Sequence, residues 1–436
     1  MSELRSFSGS HTEFDQMESS ARYYCRHMPA VFTKASNASL WDENGVEYTD
    51  FLAGCGSLNY GHNHPVLKAR VVNHLAIDGM VNGLDLHTAA KRDFIRALRK
   101  TILEPRGLSY RVQFPGPTGT NAVEAALKLA RKVTGRSGVV AFTNAFHGMT
   151  LGSLAVSGKT QARSCAGVSM SEVVRLPYDG YFGAGIEQLD LFAAMVNDPS
   201  GGIEAPAAFI VETVQGEGGL TAASPKWLRR LSQIARDLGA VLIIDDIQAG
   251  CGRTGTFFSF EAAGIEPDIV CLAKSISGIG LPMSLVLIRP DLDQWEPGEH
   301  NGTFRGNNLA FVAATSALAL WQESDFTDHI SATGQRIRDW IGSVTEKYGC
   351  DVVNARGVGL MSGLAFADRA VAGLVAEDAF KRNMLIETSG PYGEVLKLMP
   401  PLTIERDQLE DGLRILDLSI ETALAQVGHH GQSTAA

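Results

Sequence analysis

Two ionisable residues, Asp245 and Lys274, each stand at the end of a short apolar run. The runs are AVLIID, residues 240–245, and IVCLAK, residues 269–274, and their length and composition predict buried parallel strands. Because ligands bind at the carboxyl edge of such sheets, the two side chains can meet there. A lysine amine can attack a carbonyl carbon, and a carboxylate can hold a ring nitrogen protonated. Taken alone, a strand that ends in Asp or Lys is more often a solvated sheet edge.

A Gly/Thr-rich loop, PGPTGTNAVEAALKLAR at 115–131, leads into a predicted helix. Thr118, Gly119 and Thr120 stand at the helix start, where backbone N–H groups and hydroxyl groups can bind a phosphate. A plain helix cap accounts for Thr and Asn residues at this point equally well. The loop therefore predicts a phosphate site only in combination with other features.

Further polar and aromatic residues follow strands or occupy turns. An aromatic ring in NAFHGMT could stack on a flat ligand, and a glutamine in DDIQAGCGRTG could donate to a ring oxygen. Several polar groups beside flexible backbone, as in VETVQGEGG, suit the wall of an active site. Each segment alone is explained as well by a packed core residue or an ordinary surface loop. The residues predicted from these segments are Phe146, His147, Glu212, Glu217, Gln248 and, in NGTFRGNNLA, Thr303 as a second phosphate contact.

Strand and helix patterns alternate from about residue 66 to 290. The alternation predicts an α/β fold with a mostly parallel central sheet and helices on both faces. Helices are predicted over 121–133 and 225–239, and a hairpin is predicted over 31–53 around an Asn-Gly turn. The predicted strands are RVQF (111–114), GVVAF (138–142), AAFIVET (207–213), AVLIID (240–245), DIVCLA (268–273) and MSLVLI (283–288).

The chain has 436 residues, which is long enough for two or three domains. The predicted order is a flexible N-terminal segment, the first part of a small α+β domain, a large domain, the C-terminal part of the small domain and a disordered tail. Their predicted bounds are 1–20, 21–65, 66–321, 322–427 and 428–436.

Composition and charge argue against several classes of partner. With 38 basic and 48 acidic residues the net charge is −10, and no dense Lys/Arg block favours nucleic acid or an anionic membrane. The longest nearly apolar stretch, 309–321, is too short to span a bilayer, and the polar N-terminus shows no secretory signal. Six scattered cysteines without C-x-x-C spacing argue against zinc and disulfides, so we expect no metal and a reducing, cytoplasmic location.

Taken in order, the motifs resemble the class III aminotransferases, fold type I enzymes that use pyridoxal 5′-phosphate (PLP). The resemblance implies that Lys274 and Asp245 are catalytic and that the other matching stretches bind PLP. It also implies a small domain formed by both chain ends and a homodimer in which Thr303 reaches the neighbouring subunit's site; such dimers can pair into tetramers. The matching stretches are Thr118-Gly119-Thr120, Phe146-His147-Gly148, Glu212 to Glu217, Asp245 to Gly255 with Gln248, Lys274, and Thr303 to Asn307.

Several longer stretches look like one subfamily, the diaminobutyrate–2-oxoglutarate transaminases of the type found in ectoine biosynthesis. Among them are FLAGCGSLNYGHNHP, GLDLHTAAKRDF and ETSGPYGEVLKLMPPLTI. Such enzymes transfer the amino group of L-glutamate to L-aspartate 4-semialdehyde in a reversible ping-pong reaction, which yields L-2,4-diaminobutyrate and 2-oxoglutarate. The resemblance therefore implies small-molecule substrates, an amino acid and a keto acid or aldehyde.

Two positions depart from the wider class and affect substrate binding. Met149 follows the aromatic-His-Gly turn, and Lys397 precedes Pro-Pro-Leu, where many ω-aminotransferases carry Arg. Arg binds a carboxylate bidentately whereas Lys acts as a point charge, so carboxylate binding must be rearranged. Arg305 is a candidate to replace one contact, and an ordinary surface arginine is the alternative interpretation. We further expect Glu217 to pair with Lys397 in one half-reaction and to release it in the other.

Three alternatives remain open. The chain could act on ornithine, 4-aminobutyrate or lysine as another ω-aminotransferase, or it could catalyse an aminomutase or racemase reaction on the same scaffold. It could also be a non-catalytic protein that binds PLP. Turnover that depends on an external keto acid separates the transaminases from the other two classes.

Overall fold

The computed structural model describes residues 12–183 and 188–433, and every structural statement here refers to them. The strands, numbered along the chain, are β1 (Phe32–Ser36), β2 (Ser39–Asp42), β3 (Glu47–Asp50), β4 (Arg111–Gln113), β5 (Val139–Phe142), β6 (Val173–Leu176), β7 (Ala208–Val211), β8 (Val214–Gln215), β9 (Thr221–Ala222), β10 (Val241–Asp245), β11 (Ile269–Leu272), β12 (Leu285–Ile288), β13 (Val353–Val358), β14 (Met361–Phe366), β15 (Met384–Leu385), β16 (Glu387–Ser389) and β17 (Val395–Leu398).

The helices are numbered in the same way, and short 3-10 or π turns also occur, among them Leu98–Leu103 and Lys274–Ser277. The α-helices are α1 (Thr12–Met17), α2 (Tyr24–His27), α3 (Ala53–Gly56), α4 (Pro65–Ala76), α5 (Ala89–Ala97), α6 (Gly119–Thr134), α7 (Leu151–Val156), α8 (Thr160–Ser164), α9 (Gln188–Asn197), α10 (Pro225–Asp237), α11 (Asn308–Ala319), α12 (Ser324–Tyr348), α13 (Arg369–Lys381) and α14 (Arg406–Ser433).

A seven-stranded sheet with the order β4-β12-β11-β10-β7-β5-β6 forms the large part of the molecule. The central strand β10 pairs in parallel with β7 and β11, and all five of its residues are buried. The apolar runs form such strands because helices cover both faces of the sheet and leave no face for water. Helix α10 packs on this sheet after a Ser224 cap and a proline at its start, and Gly239 follows it with φ near +60°. The carboxyl ends of β10 and β11 therefore carry Asp245 and the Lys274 turn to one edge.

The sequence-based assignment of the large sheet lacked one strand. Strand β6 was missed because it is an edge strand whose residues are only partly buried, so its apolar run is short. Helices α11 and α12 are separated by a 3-10 turn, Leu320–Gln322. Each of the six predicted strands is present in the large sheet, and β12 is antiparallel to both of its neighbours.

The smaller part joins both chain ends. The predicted hairpin forms as β2 and β3, and β3 pairs in parallel with β15. A second antiparallel sheet has the order β13-β14-β17-β16. The α/β architecture with a small α+β part from both ends is thereby confirmed, while the finer domain bounds stay predictions. Helix α1 lies within the segment predicted to be flexible, and α14 runs to Ser433 inside the predicted tail; residues 1–11 and 434–436 lie outside the described ones.

None of the helices in the described part of the chain is long and apolar enough to cross a membrane.

Candidate active site

Asp245 ends β10 as a buried carboxylate held by two donors. Its Oδ2 lies 2.7 Å from Nδ1 of His147, and its Oδ1 accepts the backbone N–H of Ile247 at 3.2 Å. The His147 ring is fully buried, and its backbone N–H donates to Oγ of Ser157 at 2.8 Å. These contacts fix one orientation of the Asp245 carboxylate, so it can serve as a preformed partner for a cationic ring nitrogen.

Glu212 holds the aromatic-His-Gly turn in place. Its Oε1 accepts the N–H of Phe146 at 2.9 Å, and its Oε2 accepts the N–H of Gly216 at 3.2 Å. Burial raises the pKa of Glu212 to about 7; His147 acts against this shift and the charge of Asp245 adds to it. Both carboxylate oxygens of Glu212 accept hydrogen bonds from backbone amides, so Glu212 positions Phe146. The predicted contact of Glu212 with the cofactor stays a prediction.

Two glycines explain why the motifs can meet. Gly148 has φ near +131°, and a Cβ there would collide with the Thr120 hydroxyl at the start of α6. A Cβ at Gly216 would collide with the side-chain oxygen of Gln248. Glycine permits these approaches without displacing the neighbouring side chains, and they bring the aromatic-His-Gly turn to the phosphate loop and the Gln-Gly-Glu turn to Gln248.

The predicted phosphate loop starts α6 next to the Asp245 segment. Thr118 is the N-cap residue, and both its backbone N–H and its hydroxyl donate to Oδ1 of Asn121, at 3.1 and 2.8 Å. The Thr120 hydroxyl lies 2.7 Å from that of Thr150. Gly119 approaches Ile247 so closely that a Cβ there would lie 2.9 Å from the Ile247 side chain. The helix N-terminus, with its partial positive charge, is thus at the same sheet edge as Asp245.

Lys274 follows β11 in a strained turn. Its backbone has φ near +53°, a left-handed conformation that is costly for any residue with a Cβ, and its side chain is half-buried. The turn is fixed by Ser275, whose hydroxyl donates to the carbonyl of Gly56 at 2.7 Å and accepts the N–H of Asn59 at 2.9 Å. Burial lowers the pKa of Lys274, and the nearby charge of Lys397 lowers it further. Both effects favour the neutral, nucleophilic amine.

A lysine cluster, consisting of Lys397, Glu217 and Glu387, lies beside Lys274. Lys397 on β17 is completely buried, and its Nζ lies 2.9 Å from Oε1 of Glu217 and 3.0 Å from Oε1 of Glu387. Burial acts against the charge of Lys397, but the two carboxylates prevail and raise its pKa. Burial likewise opposes ionisation of Glu217, yet Lys397 lowers the pKa of Glu217 to about 2.

Glu387 was missed by the sequence analysis. It lies directly opposite Lys397 in the antiparallel pair of β16 and β17, so the cross-strand register places the two side chains together. The charged residues at 387 and 397 were visible in ETSGPYGEVLKL, but the register of the pair was not. The pairing of Glu217 with Lys397, which the sequence analysis did anticipate, is present.

Residues of the small part cover the cluster. The Gln248 side-chain N–H donates to the carbonyl of Cys55 at 3.0 Å. The Cys55 thiol donates to the Tyr24 hydroxyl at 2.9 Å and approaches Oε2 of Glu387 at 3.7 Å. Burial raises the pKa of the Cys55 thiol to about 11, and Glu387 contributes to the rise. The thiol therefore stays protonated near neutral pH.

Among the residues that the structure describes, neither Thr303 nor Arg305 forms a hydrogen bond or an ion pair with the lysine cluster. Thr303 is exposed, and Arg305 donates to the carbonyl of Asn301 at 2.9 Å. The Arg305 guanidinium lies close to Gly116 of the phosphate loop, 3.1 Å from the position of a Cβ there. Met149 is 61% exposed. The predicted roles of Thr303 and Arg305 stay predictions.

Comparisons with known proteins agree with this arrangement. The family described as aminotransferase class-III matches residues 21–420. A diaminobutyrate–2-oxoglutarate transaminase of Nocardia farcinica is 53% identical over 420 residues, 96% of either chain, and one of Vibrio parahaemolyticus is 53% identical over 95% of this chain and 98% of its own.

Solved structures show the same fold. The ornithine aminotransferase of Toxoplasma gondii has a TM-score of 0.82 at 28% identity over 94% of both chains. An S-selective transaminase of Bacillus megaterium has a TM-score of 0.84 at 22% identity, over 94% of this chain and 97% of its own. These neighbours confirm fold type I, and the family is one of PLP enzymes. The chain therefore belongs to the class III aminotransferases.

Proposed function

We propose that this aminotransferase is a diaminobutyrate–2-oxoglutarate transaminase. It moves the amino group of L-glutamate to L-aspartate 4-semialdehyde and so yields L-2,4-diaminobutyrate and 2-oxoglutarate, reversibly and by a ping-pong scheme. The observation that carries the proposal is that relatives named for this reaction are 53% identical over nearly the whole chain. Aspartate 4-semialdehyde follows from the chemistry, because it is the aldehyde left when diaminobutyrate loses its terminal amino group.

The residues at the sheet edge fit PLP, which supplies an electron sink for the bond changes at the substrate carbon. Asp245, oriented by His147, would hold the ring nitrogen protonated. Phe146 would stack on the ring, and Gln248 would donate to its phenolic oxygen. The tight approaches of Gly119 and Gly148 support a phosphate site at the start of α6, formed by Thr118, Gly119 and Thr120. Thr303 of a neighbouring subunit would add a phosphate contact.

Lys274 would have the two roles that need an amine. Its neutral form would hold PLP by a covalent bond to the carbonyl carbon of the cofactor, with release of water. Once displaced from that bond, the same amine would accept a proton from the substrate carbon and return it in the course of the transfer. The lowered pKa of Lys274 supports both roles, because a protonated amine can neither form the covalent bond nor accept a proton.

The lysine cluster would bind substrate carboxylates by alternate pairing. Glu217 pairs with Lys397 in one half-reaction and releases it to a carboxylate in the other, and Arg305 is the candidate for a second carboxylate contact. The ion pair at 2.9 Å supports the first state of this scheme. Glu217→Gln is then expected to change one half-reaction much more than the other, and equal changes would contradict alternate pairing.

Assembly and location are part of the same proposal. We infer a homodimer with shared active sites, able to pair into a tetramer, that works in the cytoplasm with its thiols reduced. The exposure of Thr303 supports sharing of the site, because an exposed side chain is free to reach a neighbouring subunit, and six free cysteines support a reducing compartment. Sedimentation of the active enzyme as a monomer would contradict the shared site.

Ornithine is the second candidate substrate, favoured by the fold match to an ornithine aminotransferase at 28% identity. The higher identity to the diaminobutyrate enzymes and the presence of Met149 and Lys397 in place of Arg favour the shorter substrate.

Absorbance of the purified, PLP-loaded enzyme tests the proposal. Addition of L-2,4-diaminobutyrate alone should bleach the yellow cofactor band, and subsequent 2-oxoglutarate should restore it with stoichiometric formation of glutamate. Bleaching by ornithine or 4-aminobutyrate but not by diaminobutyrate would keep the enzyme class and discard the proposed substrate.

A further inference from the structure

The lysine cluster carries more negative than positive charge. Lys397 contributes one positive charge, and Glu217 and Glu387 contribute two negative charges, which leaves one carboxylate in excess. Lys274 is a further amine whose pKa these charges influence, but burial favours its neutral form and the proposed function uses it in a covalent bond. A buried site with an uncompensated negative charge is stabilised by a cation, since isolated buried charge is costly.

Glu387 is the less completely hydrogen-bonded carboxylate of the cluster, although it forms an ion pair with Lys397. It is 8% exposed, and no hydrogen bond to its Oε1 is formed among the described residues, although Lys397 Nζ lies 3.0 Å away. Its Oε2 receives only the weak thiol donor of Cys55 at 3.7 Å. Glu217, by contrast, accepts a hydrogen bond from Lys397 at 2.9 Å. An ionised carboxylate can accept about four hydrogen bonds, so Glu387 has capacity for an additional strong donor.

Glu387 is also linked by contacts to the candidate active site, because its Oε2 lies 3.7 Å from the Cys55 thiol and the Cys55 carbonyl accepts the side-chain N–H of Gln248 at 3.0 Å. Its charge acts on the pKa of Lys274, the predicted attacking amine, and on those of Tyr23 and Tyr24 from the covering N-terminal segment. The tyrosines cannot supply the missing cation, and the Tyr24 hydroxyl already accepts from Cys55. Its contacts with Cys55 and Lys397 thus place Glu387 next to the residues proposed to bind the cofactor and the substrate carboxylate.

We propose that Glu387 binds the α-ammonium group of the diamino substrate, beside the carboxylate contact of Lys397, and so selects ω-amines that are also α-amino acids. This inference rests on the proposed function. Diaminobutyrate and aspartate 4-semialdehyde keep an α-ammonium group away from the reacting carbon. Glutamate uses its single amino group in the reaction, and 4-aminobutyrate is diaminobutyrate without the α-amino group. A site that must pair a buried charge rejects an analogue that lacks the partner group.

Glu387→Gln tests the inference, because it keeps the shape and removes the charge. The rate of cofactor bleaching is measured separately with diaminobutyrate, 4-aminobutyrate and glutamate. The loss of one charge-assisted contact should lower kcat/KM for diaminobutyrate about 10- to 100-fold. The values for 4-aminobutyrate and glutamate should be unchanged or higher, so selectivity shifts toward the analogue without the α-amino group.

A matched control removes a glutamate charge elsewhere. Glu421→Gln breaks a surface ion pair with Lys347 and should leave all three values unchanged. If Glu387 merely supports Lys397, Glu387→Gln would lower the values for all three compounds alike, since each has a carboxylate; that uniform loss would overturn the inference. Should Glu387→Gln not fold, Glu387→Asp retains the charge at a greater distance, and a loss confined to diaminobutyrate again supports the inference whereas a uniform loss contradicts it.

The wild-type enzyme distinguishes this inference from the proposed function. No bleaching of the wild type by diaminobutyrate overturns the proposed function, and the inference falls with it. Normal bleaching of the wild type, followed by unchanged selectivity in Glu387→Gln, overturns only the assignment of Glu387.

Discussion

Two buried glutamate side chains in the candidate active site, one at the proposed cofactor site and one in the lysine cluster, have pKa values shifted in opposite directions. Glu212, beside Asp245 on the large sheet, faces backbone N–H groups, and burial raises its pKa to about 7. Glu217, on the other side of the same turn, faces Lys397, and its pKa falls to about 2 although burial opposes this. One carboxylate holds the backbone, while the other is part of an ion pair that a substrate can rearrange. The difference shows that the partner, more than burial, decides whether a buried acid remains charged.

The comparison also separates rigid from exchangeable contacts. At the cofactor end, Asp245 and His147 form a closed pair at 2.7 Å, and Glu212 uses both oxygens on backbone amides. At the lysine cluster, Lys397 is shared between two carboxylates and Glu387 retains free acceptor sites. A cofactor that stays bound suits the first arrangement. Two different substrates that alternate in one pocket suit the second.

Lys274→Ala is expected to cause the largest loss of activity among the variants of the proposed cofactor site. It removes both the covalent attachment and the proton carrier, so we expect turnover to fall by at least about 10⁴-fold. Steady-state formation of glutamate from diaminobutyrate and 2-oxoglutarate measures the loss. Lys347→Ala, at an exposed lysine paired with Glu421, should retain full activity. Substantial residual turnover in Lys274→Ala would refute the assigned role.

Asp245→Asn tests whether the buried carboxylate acts on the ring nitrogen. The variant keeps the size of the side chain and the contact with His147, but it cannot hold the ring nitrogen protonated by charge. We expect kcat to fall about 10²- to 10³-fold with a smaller change in KM. Stopped-flow rates of both half-reactions should fall together, because both depend on the same electron sink. A change confined to one half-reaction would place Asp245 in substrate binding instead.

Lys397→Ala tests the lysine cluster, where substrates are proposed to exchange contacts with Lys397. It removes the cation that substrate carboxylates would contact and leaves Glu387 and Glu217 without their counter-ion. We expect kcat/KM for glutamate and for diaminobutyrate to fall about 10- to 100-fold, mainly through KM. A smaller effect than that of Asp245→Asn on kcat would support the division between the two ends. Unchanged affinity for both substrates would exclude Lys397 from carboxylate binding.

The two ends also differ in how well the sequence predicts them. Asp245, His147 and Lys274 belong to short contiguous motifs at strand ends, and buried parallel strands bring such ends to one edge. Glu387 depends on the register between β16 and β17, which a short strand pair does not reveal in its sequence. The proposed role of Thr303 depends on a second subunit, and strand β6 was missed because an edge strand needs few apolar residues. Contacts made by local motifs were thus predictable, whereas contacts made by long-range pairing were not.

Glu212→Gln is expected to have the smallest effect, on stability and its pH dependence. Because the folded protein keeps a proton on Glu212 up to about pH 7 while the ordinary pKa is 4.5, stability from this group falls as the pH rises from 4.5 through 7. Gln cannot ionise, so the wild type should lose up to about 3 kcal/mol of its free energy of unfolding relative to the variant over this range. Denaturant unfolding of both proteins at pH 5 and pH 8 measures the difference. Parallel pH profiles would mean that Glu212 is already ionised at pH 5, so that backbone N–H groups alone keep a buried acid charged and the contrast with Glu217 disappears.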